Sequence, residues 1–174
     1  MTSFTPPAAA LRHRSNGQLS LRRTQTRLGR APGRALLGFV AAIISVLIFH
    51  QGMWALLYAA GVMPPAPYPT NPVPPFGVPL IASLCFWGGV YGFVFGLILP
   101  RLPRGVPAWL LGLGLGLVAA LIGWFVVAPL KGQAIAGGFV PVRMLISVLI
   151  NGAWGVGVGV ILPLLMARRS AVRV

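Results

Sequence analysis

A few polar side chains interrupt otherwise apolar stretches of the sequence, and these residue types have the most chemistry to offer. The six residues are His50, Gln51, Ser83, Arg143, Ser147 and Asn151. A polar or ionisable group inside a bilayer is costly, so it is by default a candidate for function. Arg143, Ser147 and Asn151 recur every four residues and would form a stripe along one helix face. We interpret the six as a candidate intramembrane polar layer.

Two interpretations of this polar layer stay open. In the first, it forms a small pocket near the outer face, where Arg143 meets a lipid phosphate or an anionic ligand. His50 would then respond to pH. In the second, the amides and hydroxyls hydrogen-bond between helices and stabilise their packing. Arg143 then extends to the lipid headgroups.

The absence of acidic residues excludes many kinds of active site. The 174 residues include no Asp or Glu, so no carboxylate pair, glycosidase dyad or Mg²⁺ or Ca²⁺ site can form. Cys85, His13 and His50 do not have the spacing of metal ligands. Haem ligation by His50, or a Cys85–His50 nucleophile, has no second feature in its support. We predict a protein that is not an enzyme and has no cofactor and no metal site.

Long apolar runs must position the polar residues. The chain is 57% hydrophobic and 8% charged, whereas a soluble domain carries about 25% charged residues. A transmembrane helix needs about 20 mostly apolar residues, and four runs qualify: 36–57, 77–100, 106–130 and 139–167. Short connections favour antiparallel neighbours. We therefore predict an all-α membrane protein with a domain at 35–167 that contains two tandem helical hairpins.

Positive charge predicts how these helices are oriented. Of the 14 Lys and Arg residues, twelve fall in the two tails and the second connection, and two fall in or beside the third connection. Cytoplasmic segments are enriched in Lys and Arg, so both termini should be cytoplasmic in a multi-pass protein of the cell inner membrane. The rival interpretations of the leader are a cleaved signal peptide and an organelle transit peptide.

The basic tails are predicted to contact lipid. Residues 1–34 should be a disordered cytoplasmic tail, and residues 168–174 a second, short one. Juxtamembrane arginines are attracted to anionic headgroups, and nothing in the tail beyond Phe4 would stack on bases, so we expect a lipid partner and no nucleic acid. The arginines expected to contact lipid are Arg22, Arg23, Arg27, Arg30, Arg34, Arg101, Arg104, Arg168 and Arg169.

The first connection, residues 62–76, is rich in proline and has no charged residue. Such a segment is typical of polyproline II, which is extended, stiff and free of internal hydrogen bonds. It would act either as a rigid connector or as a docking strap for a partner on the outer face.

The second and fourth apolar runs resemble each other at a constant offset of 63 residues. The matches include Gly92 with Gly155, Gly96 with Gly159, and an Ile-Leu-Pro triplet that ends at Pro100 and Pro163. In the first and third runs, Leu-Leu-Gly at 36–38 resembles Leu-Leu-Gly at 110–112. We predict two tandem repeats related by an axis along the membrane normal; the alternative is convergent composition.

Glycines spaced by four make flat helix faces. They are Gly88, Gly92, Gly96, Gly155 and Gly159. Small residues at this spacing let another backbone approach closely in lipid. The face would serve either a homo-oligomer or the packing of the second helix on the fourth within one chain.

The third and fourth runs resemble those of uncharacterised small bacterial inner-membrane proteins with four helices, YagU-like proteins among them. The matching elements are 103–112, Pro-Leu-Lys-Gly at 129–132, and Asn151-Gly152. Those families often carry a histidine where Asn151 stands, which puts in doubt any function that depends on it. The resemblance implies a bacterial inner membrane and no established activity.

Two hypotheses on function follow. The first is a packing, accessory or scaffold component of the bacterial inner membrane, either in a homo-oligomer or in a larger membrane complex. The alternative is a small channel or transporter that moves a neutral or anionic solute past the polar layer.

Overall fold

The computed structural model of the protein describes residues 31–103 and 105–171, with side chains up to residue 168. Almost all of the predicted N-terminal tail lies outside the described residues, and so do five of the arginines expected to contact lipid and the side chain of another. Those five are Arg22, Arg23, Arg27, Arg30 and Arg104, and the side chain is that of Arg169.

Four helices make up most of the described chain. They are α1 (Ala31–Ala59), α2 (Leu80–Arg101), α3 (Ala108–Leu130) and α4 (Pro141–Ala171). Each is long and apolar enough to cross a membrane, and the described residues are 78% helical with almost no sheet. This confirms the predicted all-α fold of a four-helix membrane protein. We call the end that carries residues 60–79 and 131–140 the outer end of the bundle; which side of the membrane it faces stays a prediction.

Prolines mark where three of the helices begin. Pro79 precedes α2, Pro107 precedes α3, and Pro141 is the first residue of α4. A proline suits this position because its φ is already helical and the first N–H groups of a helix have no partner within it. At the other end of α2, Pro100 lies in a tighter 3₁₀ turn, Leu99–Arg101.

Two helices are locally widened. Val46–His50 in α1 and Gly123–Val127 in α3 are π-helical. A π segment takes backbone carbonyls out of the regular hydrogen-bond ladder, and such segments are frequent at functional sites. Both lie in the half of the bundle near the outer end.

The end of the proline-rich connection turns back and is not extended as we predicted. Residues Pro72–Val73 (β1) and Val78–Pro79 (β2) pair antiparallel. Between them the N–H of Gly77, at a φ of +66°, donates to the carbonyl of Val73 at 3.0 Å. The end of the segment predicted to be extended is therefore folded back on the residues that follow it, because backbone groups near a membrane need partners that polyproline II does not supply.

Helices α1 and α2 touch through their backbones. A Cβ atom added to Gly38 would overlap the carbonyl oxygen of Gly92, and one added to Gly96 would meet Ala35 Cα at 3.0 Å. Only glycine allows two helices to come this close. The contact joins α1 and α2 into the first hairpin.

Helices α3 and α4 form the second hairpin in the same manner. A Cβ on Gly112 would overlap the carbonyl oxygen of Gly155, and one on Gly116 would overlap that of Asn151. A Cβ on Gly159 would overlap the carbonyl oxygen of Ala108.

The glycine contacts correspond between the hairpins. Gly38 contacts Gly92 in the first hairpin, and Gly112 contacts Gly155 in the second. Gly112 follows Gly38 by 74 positions, and Gly155 follows Gly92 by 63. Each glycine of this set thus faces the other helix of its own hairpin. Gly92 and Gly96 therefore pack on α1, and Gly155 and Gly159 on α3, and not on each other. Of the predicted set, only Gly88 approaches α4: a Cβ there would meet Trp154 Nε1 at 3.4 Å, beside Val46 of α1 at 2.8 Å.

The two hairpins are joined mainly where α1 meets α4. The hydroxyl of Ser45 donates to the carbonyl of Trp154 at 2.6 Å, and Trp154 Nε1 donates to the carbonyl of Ala42 at 3.2 Å. Val158 and Leu162 complete this buried core. Each polar group at the contact thereby has a partner on the opposite helix.

The glycine contacts predict unequal effects from two substitutions two residues apart. Gly112→Ala should lower the free energy of unfolding by about 1–3 kcal/mol, because the new methyl has to displace a backbone. Gly114→Ala should cost nothing, since a Cβ there meets no atom within 4 Å. Unfolding in mixed micelles, followed by circular dichroism, measures both. Equal stabilities of the two variants would contradict the observed α3–α4 contact.

Candidate functional site

The predicted polar layer is divided among three environments. Gln51 faces the first connection. His50 and Ser83 line a cavity of about 520 Å³, and Arg143 and Ser147 line a second one of about 440 Å³. Asn151 lies on the walls of both cavities.

The smaller cavity lies between α3, α4 and residues 131–140. Asn151 Nδ2 donates to the carbonyl of Ser147 at 2.9 Å, and Trp124 Nε1 donates to the Ser147 hydroxyl at 3.1 Å. Gln133, whose side chain is exposed, adds a further amide to the wall. The cavity wall therefore contains both hydrogen-bond donors and hydrogen-bond acceptors.

Arg143 brings an uncompensated positive charge to this cavity. Its side chain is exposed, and NH1 donates to the carbonyl of Gly137 at 3.3 Å. The chain contains no carboxylate with which it could form an ion pair. A guanidinium held only by a carbonyl keeps most of its donors for a polar or anionic partner.

A left-handed turn positions that carbonyl. Ala136, Gly137 and Gly138 have φ values of 50°, 65° and 76°. Ala136 is fully buried, and a non-glycine residue in this conformation costs about 1–2 kcal/mol. Local strain of this kind concentrates at functional sites. The turn brings the Gly137 carbonyl within reach of Arg143.

The larger cavity is lined by residues of all four helices. Most of its wall is apolar, and its polar contributors come from α1 (His50), α2 (Ser83), the end of α3 (Lys131) and α4 (Asn151). At its deep end the rings of Tyr91 and Trp154 meet edge to face, with centroids 6.2 Å apart.

Gln51 links the larger cavity to the first connection. It is fully buried, and its Oε1 accepts a hydrogen bond from the backbone N–H of Tyr68 at 2.7 Å. Its Nε2 lies 3.3 Å from His50 Nδ1. An amide nitrogen is only a donor, so Nδ1 accepts and a neutral His50 carries its proton on Nε2.

Tyr68 is the residue that sequence reasoning missed. Its hydroxyl donates to the carbonyl of Leu47 at 2.8 Å, within the π segment of α1. Trp54 Nε1 donates to the carbonyl of Pro65 at 2.8 Å. The first connection is therefore tied back along α1. The only signal in the sequence is a lone tyrosine among the prolines, which does not by itself indicate where the ring will reach.

The described arginines of the predicted lipid-contact set lie toward the inner end. Arg34 is half-buried, and Arg101 and Arg168 are exposed. Arg101 NH1 donates to the carbonyl of Leu97 at 3.4 Å. Their contact with anionic lipid stays a prediction.

No protein-family model, curated protein or solved structure matches this chain. The fold and the site define the class: a multi-pass α-helical membrane protein with two cavities near its outer end. Among residues 31–103 and 105–171, no three His, Cys, Asp or Glu side chains cluster as metal ligands would.

Replacing Gln51 should release the first connection from α1. Gln51→Leu removes the acceptor of the Tyr68 N–H, so we expect that amide to exchange hydrogen for deuterium faster by about a factor of ten, which corresponds to one lost hydrogen bond. Mass spectrometry of peptides that cover residues 60–79 measures the rate. Gln133→Leu, in the other connection, is the matched control and should leave it unchanged. Unchanged exchange in Gln51→Leu would show that the bond does not hold the connection in place.

Proposed function

We propose that the protein is a non-enzymatic accessory or scaffold component of a bacterial inner membrane. The observation that carries this proposal is the backbone contact at glycines in both hairpins, Gly38 with Gly92 and Gly112 with Gly155. Helices packed at this distance have little room to slide or rotate, because backbone atoms cannot yield as side chains do. Such rigidity suits a scaffold component that keeps its own shape while partner proteins bind to it.

We infer further that the two hairpins are internal repeats. The contacts of Gly96 with Ala35 and of Gly159 with Trp109 support this inference, because each partner is displaced by the constant offset of its helix. Repeats with parallel orientation occur in membrane proteins around an axis normal to the bilayer. Two such repeats would give this small protein two similar surfaces, one on each hairpin.

Exposed aromatic residues at the outer end support an interaction role. Phe76, at the tip of the first connection, is 86% exposed, and Phe139, 63 positions later, is 64% exposed. Leu130 is 82% exposed. Phenylalanines at corresponding positions would contact a partner protein or the headgroup region.

The membrane and the orientation belong to the same proposal. The positively charged residues of the tails and the second connection support cytoplasmic termini, and the resemblance of α3 and α4 to small inner-membrane proteins supports a bacterial inner membrane. The described arginines at the inner end would then face anionic lipid.

A second candidate is a channel or transporter for a neutral or anionic solute. The smaller cavity favours it, because Arg143 has no acidic partner there and Ser147 and Asn151 add polar groups. A cavity of this size is within the range of small-molecule sites.

Native mass spectrometry of the protein ejected from its own membranes tests the accessory role. We expect foreign subunits at fixed stoichiometry, because a scaffold acts through what it holds. Phe76→Ser should weaken that association if the outer end makes the contact, whereas Phe93→Ser, in the middle of α2, is the control. A monomer or homo-oligomer without any foreign subunit would contradict the proposal.

Flux into proteoliposomes tests the transport candidate. Arg143→Ala should abolish the uptake of a small anion if the arginine binds it, with the circular dichroism spectrum unchanged. Arg101→Ala, an exposed arginine at the inner end, is the control and should retain uptake. No uptake by the unsubstituted protein for any neutral or anionic solute tried would remove this candidate.

A further inference from the structure

The larger cavity opens sideways between α2 and α3. Trp87 of α2 and Val127 of α3 both line it, and 58% and 38% of their surfaces are exposed. Exposed wall residues on these two neighbouring helices place a mouth of the cavity between them. In a membrane, this mouth faces lipid.

The opposite side of the bundle shows what a closed contact looks like. Where α1 meets α4, a Cβ on Gly157 would overlap the hydroxyl of Ser45 and meet the ring of Phe49 at 2.5 Å. The glycine thus allows the phenylalanine ring to fill the space between the two helices.

The corresponding positions of α2 and α3 carry the opposite residues. With the offsets of 63 and 74, the counterpart of Gly157 is Val94, and the counterparts of Ser45 and Phe49 are Ala119 and Gly123. Val94 is exposed and is not part of the cavity wall. Ala119 and Gly123 leave the space unfilled: both line the cavity, and a Cβ on Gly123 would meet no atom within 4 Å. The opening therefore coincides with two small residues of α3, at the positions where α1 carries the serine and the phenylalanine of the closed contact.

The depth of the cavity matches one leaflet of a bilayer. Along α3 its wall runs from Ala119 to Lys131, which is about 18 Å at 1.5 Å per residue. The hydrocarbon of one leaflet is about 15 Å thick, half of a core of about 30 Å. The wall is apolar over most of this length, with the Tyr91–Trp154 ring pair at the deep end.

The polar groups are placed for a headgroup and its ester linkage. Lys131 lines the cavity at its outer end, and the chain has no carboxylate that would neutralise it. Deeper in the cavity, the Ser83 hydroxyl and the Nε2–H of His50 would donate hydrogen bonds to an ester carbonyl of the lipid.

We propose that one acyl chain of an anionic phospholipid, from the leaflet at the outer end, enters between α2 and α3 and occupies the larger cavity. Lys131 binds its phosphate, and Tyr91 and Trp154 stop the end of the chain. This site depends on the fold and not on the proposed accessory role, so either can fail without the other.

A photoreactive lipid tests this proposal directly. The probe is phosphatidylglycerol with a diazirine near the end of one acyl chain, at a few per cent in phosphatidylcholine vesicles that contain the full-length protein. We expect crosslinks on the cavity wall of α2, at Gly88 and Tyr91. Crosslinks confined to outward-facing residues of α2 such as Phe86 and Phe93 would overturn the proposal.

Filling the cavity provides the matched variant. Gly123→Phe places a phenylalanine ring at the α2–α3 opening, at the position that corresponds to Phe49 of the α1–α4 contact. This variant should abolish the crosslinks to the cavity wall. Gly114→Phe is the control, because Gly114 also has no atom within 4 Å of an added Cβ and lines neither cavity. If Gly123→Phe does not fold, Gly123→Leu fills less space and tests the same point. Wall crosslinks that persist in a folded cavity-filling variant would overturn the site.

The charge at the mouth has its own measurement. Lys131→Gln should reduce the preference for phosphatidylglycerol over phosphatidylcholine about fivefold, since a lysine near an anionic surface contributes about 1 kcal/mol. Lys131→Arg should preserve the preference. A preference unchanged in Lys131→Gln would overturn the assignment of Lys131 to the phosphate.

Discussion

Helices in a bilayer cannot be held together by burying apolar surface, because lipid tails are as apolar as leucine. What remains is close packing and hydrogen bonding. In this protein the close packing is carried by glycines whose missing Cβ atoms let the backbones of α1 and α2, and of α3 and α4, touch. Where these glycines occur, the helices are in contact. Toward the outer end, two cavities lie between the helices. The positions of these glycines thus determine where the helices of the bundle are in contact.

The lack of acidic residues constrains the rest of the structure. Buried polar groups have only amides, hydroxyls, indoles and carbonyls as partners, and most are used between segments distant in sequence. Ser45 and Trp154 bond across α1 and α4, and Gln51 bonds to the first connection. Each such bond satisfies a group that would otherwise be costly in lipid. The sequence has no Asp or Glu that could form ion pairs with the positive charges, and Arg143 and Lys131 both lie beside cavities.

The two hairpins share their internal contacts and differ in how they meet. On one side a glycine accepts a phenylalanine ring, and on the other the corresponding positions of α3 are an alanine and a glycine that line the larger cavity. A pair of equivalent hairpins would close both sides alike. Small residues at the two corresponding positions of α3 coincide with the open side. A small protein can in this way obtain rigidity from its repeated contacts and a cavity from their difference.

By itself the sequence determined the fold class, the number of helices and their approximate bounds, because continuous apolar runs of this length have no other stable arrangement in lipid. It also indicated Arg143, Ser147 and Asn151 as one helix face, since spacing by four residues is a local property. Only the tertiary structure decided which helices the glycines join, that Gln51 accepts a hydrogen bond from the backbone of Tyr68, and that the Tyr68 hydroxyl reaches Leu47. These are contacts between residues far apart in the chain, or on a connection without periodicity. They depend on the distance and rotation of whole helices, which local spacing does not encode.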